Sequence, residues 1–183
     1  MDKKQVTIPI LAISLLILAY LPIVKAETRL VWSFDWEGMD VEVYAPYQAY
    51  PGDTITVRVR VEAKEDLEDV YIRVWLYGSK SEGFETWTKY IIVLYYVDLS
   101  KGVVRDQNFD VDIPSDVSPG LIYSHTYCDW KVWRWPSWRD RSLDDSFIVT
   151  YLKNKAYEDL QKAYNKLLND YNALQVKYNK LLN

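Results

Sequence analysis

The C-terminal quarter of the chain repeats apolar residues every seven positions. Four tyrosines recur at this interval, and a leucine follows each of them three positions later: Tyr157, Leu160, Tyr164, Leu167, Tyr171, Leu174, Tyr178 and Leu181. This spacing fills the a and d positions of a coiled-coil heptad, and the segment contains neither proline nor glycine. A helix with such a stripe needs other helices to bury it. Residues 153–183 are therefore predicted to form a coiled-coil helix that drives homo-oligomerisation.

Two further leucines and the tyrosine hydroxyls bear on what covers this stripe. Leu168 and Leu182 widen the stripe to the e position, which suits either a bundle of several helices or docking of the helix on the chain's own β domain. A buried tyrosine hydroxyl without a partner costs about 1–3 kcal/mol, so we expect a modest, concentration-dependent assembly. Asn154 is predicted to cap the helix, with Glu158 and Asp159 near the positive end of its dipole.

The middle of the chain, residues 27–152, alternates apolar and polar side chains with a period of two. In Thr54–Val61 the aliphatic residues occupy the odd positions, and in Val70–Tyr77 they occupy the even positions. Such alternation predicts half-buried antiparallel strands. Further strands are predicted at Leu30–Trp36, Val41–Tyr44, Tyr90–Val97, Asn108–Ile113, Leu121–Trp135 in one or two pieces, and Ser146–Tyr151.

Glycines separate these strand patterns. All six are predicted to lie in turns: Gly38, Gly52, Gly78, Gly83, Gly102 and Gly120. Seven or eight short strands, with no helical pattern before residue 154, indicate a mainly β fold in which residues 27–152 form an antiparallel β-sandwich.

Two motifs resemble immunoglobulin-like sandwich domains of prokaryotic exported proteins. The first is the Pro-Gly-Asp turn and strand of Pro51–Val57, followed by the acidic loop and strand of Asp66–Val74; the second is the late turn within Val111–Gly120. The order of export signal, sandwich and Tyr/Leu-rich coiled coil resembles archaeal cell-surface proteins of the S-layer-associated kind. The resemblance implies an immunoglobulin-like sandwich at the cell surface, and it implies no reaction.

The N-terminus predicts export. Lys3 and Lys4 precede the uncharged stretch 6–24, and Ala26 ends a sequence that suits a signal peptidase, so residues 1–26 are predicted to be a signal peptide. The stretch 6–24 is also long enough to cross a bilayer of about 30 Å, which leaves an uncleaved membrane tether as the alternative. In both cases the chain from Glu27 onward is expected to be extracellular.

Charge and cysteine content limit the partners. The formal net charge is −4, which argues against nucleic acid because its phosphates require a basic surface. Cys128 is the only cysteine, so it is expected to be either buried and inert or bonded to a second chain.

Aromatic residues supply the candidate binding surface. Trp130, Trp133, Trp135 and Trp138 lie close together in sequence with Arg134 among them. Exposed tryptophans stack on sugar rings or fill protein interfaces, whereas buried ones would complete the sandwich core, and both readings stay open. Tyr71, Trp75 and Tyr77 are predicted to form a second aromatic row on the outer face of their strand, where a neighbouring subunit would cover them.

Residues for catalysis or metal binding are sparse. His125 is the only histidine, so a copper site that needs two histidines cannot form, and no Gly-rich phosphate loop or paired-cysteine motif is present. Asp110, Asp112 and Asp116 form a weak calcium candidate, although solvated carboxylates on an edge strand explain them as well. We predict no cofactor and no enzymatic activity.

Taken together, the sequence predicts a non-catalytic, exported structural or assembly protein of the cell surface that self-associates through its coiled coil or binds other envelope proteins. The alternative is a module that binds glycan or an envelope protein through the Trp130–Trp138 cluster, with oligomerisation raising its avidity.

Overall fold

The computed structural model describes residues 28–80 and 86–182. Over this range it contains nine β-strands and one C-terminal helix. The elements in chain order are β1 (Thr28–Trp36), β2 (Met39–Pro46), β3 (Gln48–Ala49), β4 (Thr54–Ala63), β5 (Leu67–Ser79), β6 (Thr86–Leu99), β7 (Val104–Asp112), β8 (Gly120–Arg134), β9 (Ser137–Leu152) and α1 (Lys155–Leu182). The predicted signal or tether, residues 1–26, lies outside the described residues.

The strands form two sheets. The four-stranded sheet has the order β1-β2-β4-β7, and the five-stranded sheet has the order β3-β9-β8-β5-β6. All neighbours are antiparallel except β3 and β9, which pair in parallel. The prediction of a mainly β fold followed by one long helix is confirmed, and every strand predicted from the period-two pattern is present. The segment 121–135 is one strand rather than two.

One hydrophobic core joins the two sheets. The aliphatic residues of β4 and β5 that alternate in sequence are fully or almost fully buried, as their period predicts. Aromatic rings cross from sheet to sheet: Trp32 of β1 stacks on Phe147 of β9 at 5.1 Å, and Phe34 of β1 meets Trp130 of β8 edge-on at 5.7 Å. Within residues 28–80 and 86–182, all of the fully buried apolar residues lie between Met39 and Leu152. The two-sheet domain therefore has a complete core without α1.

Gly78 corrects the expectation that every glycine lies in a turn. Gly38, Gly52 and Gly102 do lie in turns, but Gly78 lies within β5 and is buried. A Cβ at this position would collide with Ile122 Cδ1 and lie 3.3 Å from Val117 Cγ1. Gly78 is needed there because β5 packs closely against those two side chains. Gly83 lies outside the described residues.

The β8–β9 hairpin also differs from expectation. The sequence predicted a strand only from Ser146, whereas β9 already begins at Ser137, directly after a turn at Trp135 and Pro136. Most side chains in the first half of β9 are polar and exposed, so the alternation that marks a half-buried strand is weak there. The long partner strand β8 supplies the backbone hydrogen bonds that extend β9 regardless.

The packing at Gly78 gives a stability prediction. Gly78→Ala is expected to destabilise the domain by about 1–3 kcal/mol, because the added methyl group overpacks the core beside Ile122 and Val117. Urea unfolding of residues 27–183, followed by tryptophan fluorescence, measures the change. The control is Ser79→Ala at the neighbouring exposed position, which should leave the midpoint unchanged. Equal midpoints for the two variants would show that Gly78 is not closely packed.

Candidate functional site

The predicted a and d residues of α1 form an exposed apolar stripe. Their side chains are between 59% exposed at Tyr178 and 86% exposed at Leu181. The set comprises Tyr157, Leu160, Tyr164, Leu167, Tyr171, Leu174, Tyr178 and Leu181. Tyr164, Leu167, Leu168 and Tyr171 together line a shallow apolar depression along the helix. The stripe does not dock on the chain's own β domain, so that alternative is wrong for this conformation.

The start of α1 is fixed to the two-sheet domain. Asn154 Oδ1 accepts a hydrogen bond from the Tyr157 N–H at 3.0 Å, which confirms the predicted N-cap. The Glu158 carboxylate accepts a hydrogen bond from the Tyr50 hydroxyl at 2.6 Å and pairs with Lys153 Nζ at 2.7 Å. These two hydrogen bonds lower the pKa of Glu158, and the one from Lys153 has the larger effect. The helix therefore begins beside the end of β9.

The predicted tryptophan cluster is divided between core and surface. Trp130 is 1% exposed, and its Nε1 donates a hydrogen bond to the Glu37 carbonyl oxygen at 3.2 Å. Of the two alternatives left open for the cluster, Trp130 takes the core one, because in β8 it alternates with outward residues and faces the opposite sheet; it is not part of a binding surface. Trp133 and Trp138 face each other at the end of the β8–β9 hairpin with ring centroids 5.6 Å apart, and Trp135 in the turn is 86% exposed.

Arg134 has a structural role at this hairpin. Its guanidinium pairs with the Glu65 carboxylate and, through Nη2, with Glu37 Oε2 at 3.0 Å. The hydrogen bond from Arg134 lowers the pKa of Glu65. These contacts join the hairpin to the β1–β2 turn and to the β4–β5 connection. Arg134 is thus already paired, whereas the three tryptophans of the hairpin end, Trp133, Trp135 and Trp138, are at least partly exposed.

The hairpin end lies far from both the first described residue and α1. β9 has 16 residues and leads from the hairpin end to the start of α1, a length of about 50 Å at 3.3 Å per residue. Thr28 pairs with Pro46, from which the chain passes directly into Tyr47 and β3 beside the end of β9. The domain therefore presents Trp135 at the end opposite to Thr28 and α1.

The second predicted aromatic row is confirmed on the outside of the five-stranded sheet. Tyr71, Trp75 and Tyr77 point away from the core, and residues of β6 and β8 extend the row sideways. Trp75 stacks on Tyr90 with centroids 4.8 Å apart, Tyr77 on Tyr123 at 5.6 Å, and Tyr71 on Tyr96 at 5.1 Å. We call this surface the aromatic face; it comprises Tyr71, Arg73, Trp75, Tyr77, Tyr90, Tyr96, Tyr123, His125 and Tyr127.

Arg73 lies at the centre of the aromatic face. Its guanidinium carbon is 5.7 Å from the ring centroid of Tyr90 and 5.5 Å from that of Tyr127. Burial raises the pKa of the Tyr127 hydroxyl. Beside Trp75, His125 Nε2 pairs with Asp144 Oδ1 at 3.0 Å, so the histidine is part of this surface rather than of the core. The sequence pattern gave the orientation of β5 but no indication that β6 and β8 would add aromatic neighbours.

The predicted calcium residues are separated by their own partners. Asp110 accepts a hydrogen bond from the Thr56 hydroxyl at 2.7 Å, Asp112 accepts one from the Thr54 hydroxyl at 2.6 Å, and Asp116 pairs with Lys80 at 3.3 Å. No group of three or more histidine, cysteine, aspartate or glutamate side chains converges on a metal position within residues 28–80 and 86–182. In the same part of the chain no helix is long and apolar enough to cross a membrane.

The sequence matches no protein-family model and no curated protein sequence. Among solved structures, the fold is similar to the sporulation control protein Spo0M from Bacillus subtilis, with 16% sequence identity and a TM-score of 0.39. The match covers 71% of this chain and 56% of that one. A similarity at this level transfers neither a function nor a finer fold classification.

The sequence left open whether Cys128 is buried or bonded to a second chain, and the structure distinguishes the two. Its side chain is fully buried, and burial raises the pKa of its thiol to about 12. A thiol that is both inaccessible and protonated reacts slowly, because the thiolate is the nucleophile. Burial, rather than a bond to a second chain, is therefore the state of Cys128.

Cys128 is expected to resist thiol reagents in the folded protein. At pH 8 a maleimide should leave native residues 27–183 unlabelled and should label the chain fully in urea, as measured by intact mass. The control is Ser142→Cys on the exposed part of β9, which should be labelled in the native state. Rapid labelling of native Cys128, or a dimer on a non-reducing gel, would contradict its burial.

Proposed function

We propose that this chain is a non-catalytic structural protein of the cell surface, exported through residues 1–26 and assembled through a coiled coil of α1. The observation that carries the proposal is the exposed Tyr/Leu stripe along α1, for which the described residues supply no cover. A second copy of the chain supplies an identical stripe. In this proposal the two-sheet domain is immunoglobulin-like and serves as a spacer or lattice contact.

The residues beside the stripe are compatible with parallel helices. Parallel pairing brings each g residue close to the e residue of the next heptad in the partner. The g positions hold Ala156, Ala163, Asp170 and Lys177, and the e positions that follow them hold Gln161, Leu168, Gln175 and Leu182. No like charges meet in this register. Leu168 and Leu182 add apolar area at e, which favours a bundle of more than two helices.

The geometry of the domain supports display away from a membrane. Thr28, which follows the predicted export segment, lies at the same end of the domain as α1. If residues 6–24 stay in the membrane, the opposite end, with Trp135, points away from it. The same arrangement holds for a secreted assembly, in which α1 gathers the domains at one end.

Substitutions on the stripe test the assembly proposal. Leu167→Asp with Leu174→Asp is expected to abolish assembly through α1 and to reduce residues 27–183 to the association state of residues 27–152 at the same concentration, because two buried carboxylates per helix would lie in the seam. The matched control is Val176→Asp, since Val176 is 55% exposed but lies at the f position, away from the stripe. Light scattering coupled to size exclusion over a concentration series measures the mass. Monomers at every concentration for the unmodified chain would refute assembly through α1.

A second candidate function is binding of glycan or an envelope protein at the hairpin end. The observation that favours it is Trp135, which is 86% exposed in a tight turn and contributes nothing to the core. An exposed indole flanked by Trp133 and Trp138 suits stacking on a sugar ring or insertion into a protein pocket. Trp130 is excluded from this surface by its burial.

Trp135→Ala separates binding from folding. The exposed position predicts a change in stability of less than about 0.5 kcal/mol. If the hairpin end binds glycan, retention on cell-wall polysaccharide should fall at least about tenfold, equivalent to about 1.4 kcal/mol. Tyr47→Ala, an exposed aromatic at the other end of the domain, is the control and should retain binding. Equal retention by both variants would remove the glycan function from the hairpin end.

A further inference from the structure

The outer faces of the two sheets differ in the interactions that their side chains make. On the four-stranded sheet, outward charges pair with each other: Arg58 with Asp106 at 2.5 Å and Arg60 with Glu62 at 2.5 Å. On the five-stranded sheet, the aromatic face exposes more than half of Tyr90 and Tyr96. A sheet that faces only water is expected to resemble the first surface. The aromatic face therefore has the character of a contact surface.

The stacking of the rings defines what this surface offers to a partner. In each stacked pair, such as Trp75 with Tyr90, each ring covers one face of the other, so fewer ring faces remain open. No tyrosine hydroxyl of the aromatic face bonds to a protein group within the described residues. Tyrosine edges and hydroxyls are typical of protein interfaces, since they provide both apolar area and hydrogen bonds. Stacking on a sugar would require free ring faces instead.

Two buried donors on β5 have no acceptor among the residues that the structure describes. Arg73 Nε and Trp75 Nε1 are both buried without a hydrogen-bond partner. The Arg73 guanidinium lies between two tyrosine rings, and no carboxylate pairs with it within residues 28–80 and 86–182. Buried donors in folded proteins nearly always have partners. Both atoms are already removed from solvent, but Arg73 as a whole is only half-buried, so an acceptor on a covering protein surface can reach the rest of its side chain.

The register of the sheet places suitable acceptors on the same face. Arg73 of β5 lies opposite Tyr127 of β8, which lies opposite Asp144 of β9. One row further along the strands, Trp75 lies opposite His125, which lies opposite Ser146. The donors are thus on one side of β8, and the Asp144 carboxylate and the Ser146 hydroxyl are at the matching positions on its other side. Asp144 Oδ1 and Ser146 Oγ each contact one ring nitrogen of His125, and both groups have further lone pairs to accept hydrogen bonds.

We propose that the aromatic face binds the aromatic face of a second copy about a two-fold axis parallel to β8. Rotation about this axis exchanges the β5 side of one copy with the β9 side of the other. Arg73 then faces Asp144 of the partner subunit, Trp75 lies opposite Ser146 of the partner subunit, and Tyr127 meets its symmetry mate. Each pair occurs twice, as an isologous contact requires. The face carries its own complementary charges.

The proposed two-fold axis is also compatible with parallel pairing of α1. A rotation about an axis parallel to the strands leaves their direction unchanged, so both copies start α1 at the same end. Parallel pairing of α1 needs this arrangement. The interface nevertheless uses a surface separate from α1, and the proposal can be tested without the helix.

The test uses residues 27–152, which contain every core residue that is fully buried in the described part of the chain. We expect a reversible dimer in sedimentation velocity over a concentration series. Arg73→Asp and Asp144→Arg should each weaken dimerisation at least about tenfold, because like charges then face each other across the axis. Combining the two substitutions should restore it, since the opposite charges are exchanged in both pairs. Urea midpoints show whether each variant is folded, and exposed Asp144 provides the variant least coupled to folding.

Crosslinking locates the axis. Tyr127→Cys should be joined to its symmetry mate by a short bis-maleimide, whereas Thr56→Cys on the outer face of the four-stranded sheet should not. Cys128 is buried and gives no background. A monomer at all concentrations, equal crosslinking at both positions, or single variants that the double variant does not restore would each overturn the proposal. Binding of an acidic glycan to a monomeric domain, abolished by Arg73→Asp, would assign the face to glycan instead.

Discussion

Burial of one set of alternating residues between the two sheets determines the rest of this molecule. The inward residues of β4 and β5 are almost entirely removed from water, which fixes the orientation of both strands because a shift of one position would expose the whole apolar set. Burial of the inward residues also fixes which residues of β4 and β5 point outward. Tyr71, Arg73, Trp75 and Tyr77 are therefore held at the surface by the residues between them, although three of the four are large aromatics.

The outer face of the four-stranded sheet carries paired charges, whereas that of the five-stranded sheet carries stacked aromatic rings. Charged side chains on β4 and β7 pair across strands, where screened ion pairs contribute little stability but keep the surface hydrated. On the aromatic face the rings stack on one another, and Arg73 Nε and Trp75 Nε1 have no acceptor in the described part of the chain. The inward residues of β4 and β5 are buried alike, so the burial of these strands does not account for the difference between their outer faces.

The sequence predicts those parts of the structure that depend on local period. The strands with aliphatic alternation, the Asn154 cap and the heptad stripe of α1 were all predictable, since each is a pattern of neighbours along the chain. The burial of Trp130 was not, because its neighbours in sequence are partly exposed tryptophans and its orientation follows from the register of β8. The row Arg73, Tyr127 and Asp144 also lay beyond sequence reasoning, since it joins three strands whose pairing no local pattern specifies.

The connection between β9 and α1 links the two surfaces that lack a cover. Only Lys153 and Asn154 separate the strand from the helix, and the Glu158 carboxylate ties the first helical turn to Tyr50 and Lys153. A short and anchored connection transmits the position of one element to the other. If α1 pairs in parallel, the attached domains are held close together, and the effective concentration of one aromatic face near another rises to about the millimolar range. A sheet contact that is only partly populated between free domains then becomes fully populated, so the tyrosine-rich surfaces are exposed before assembly and buried after it.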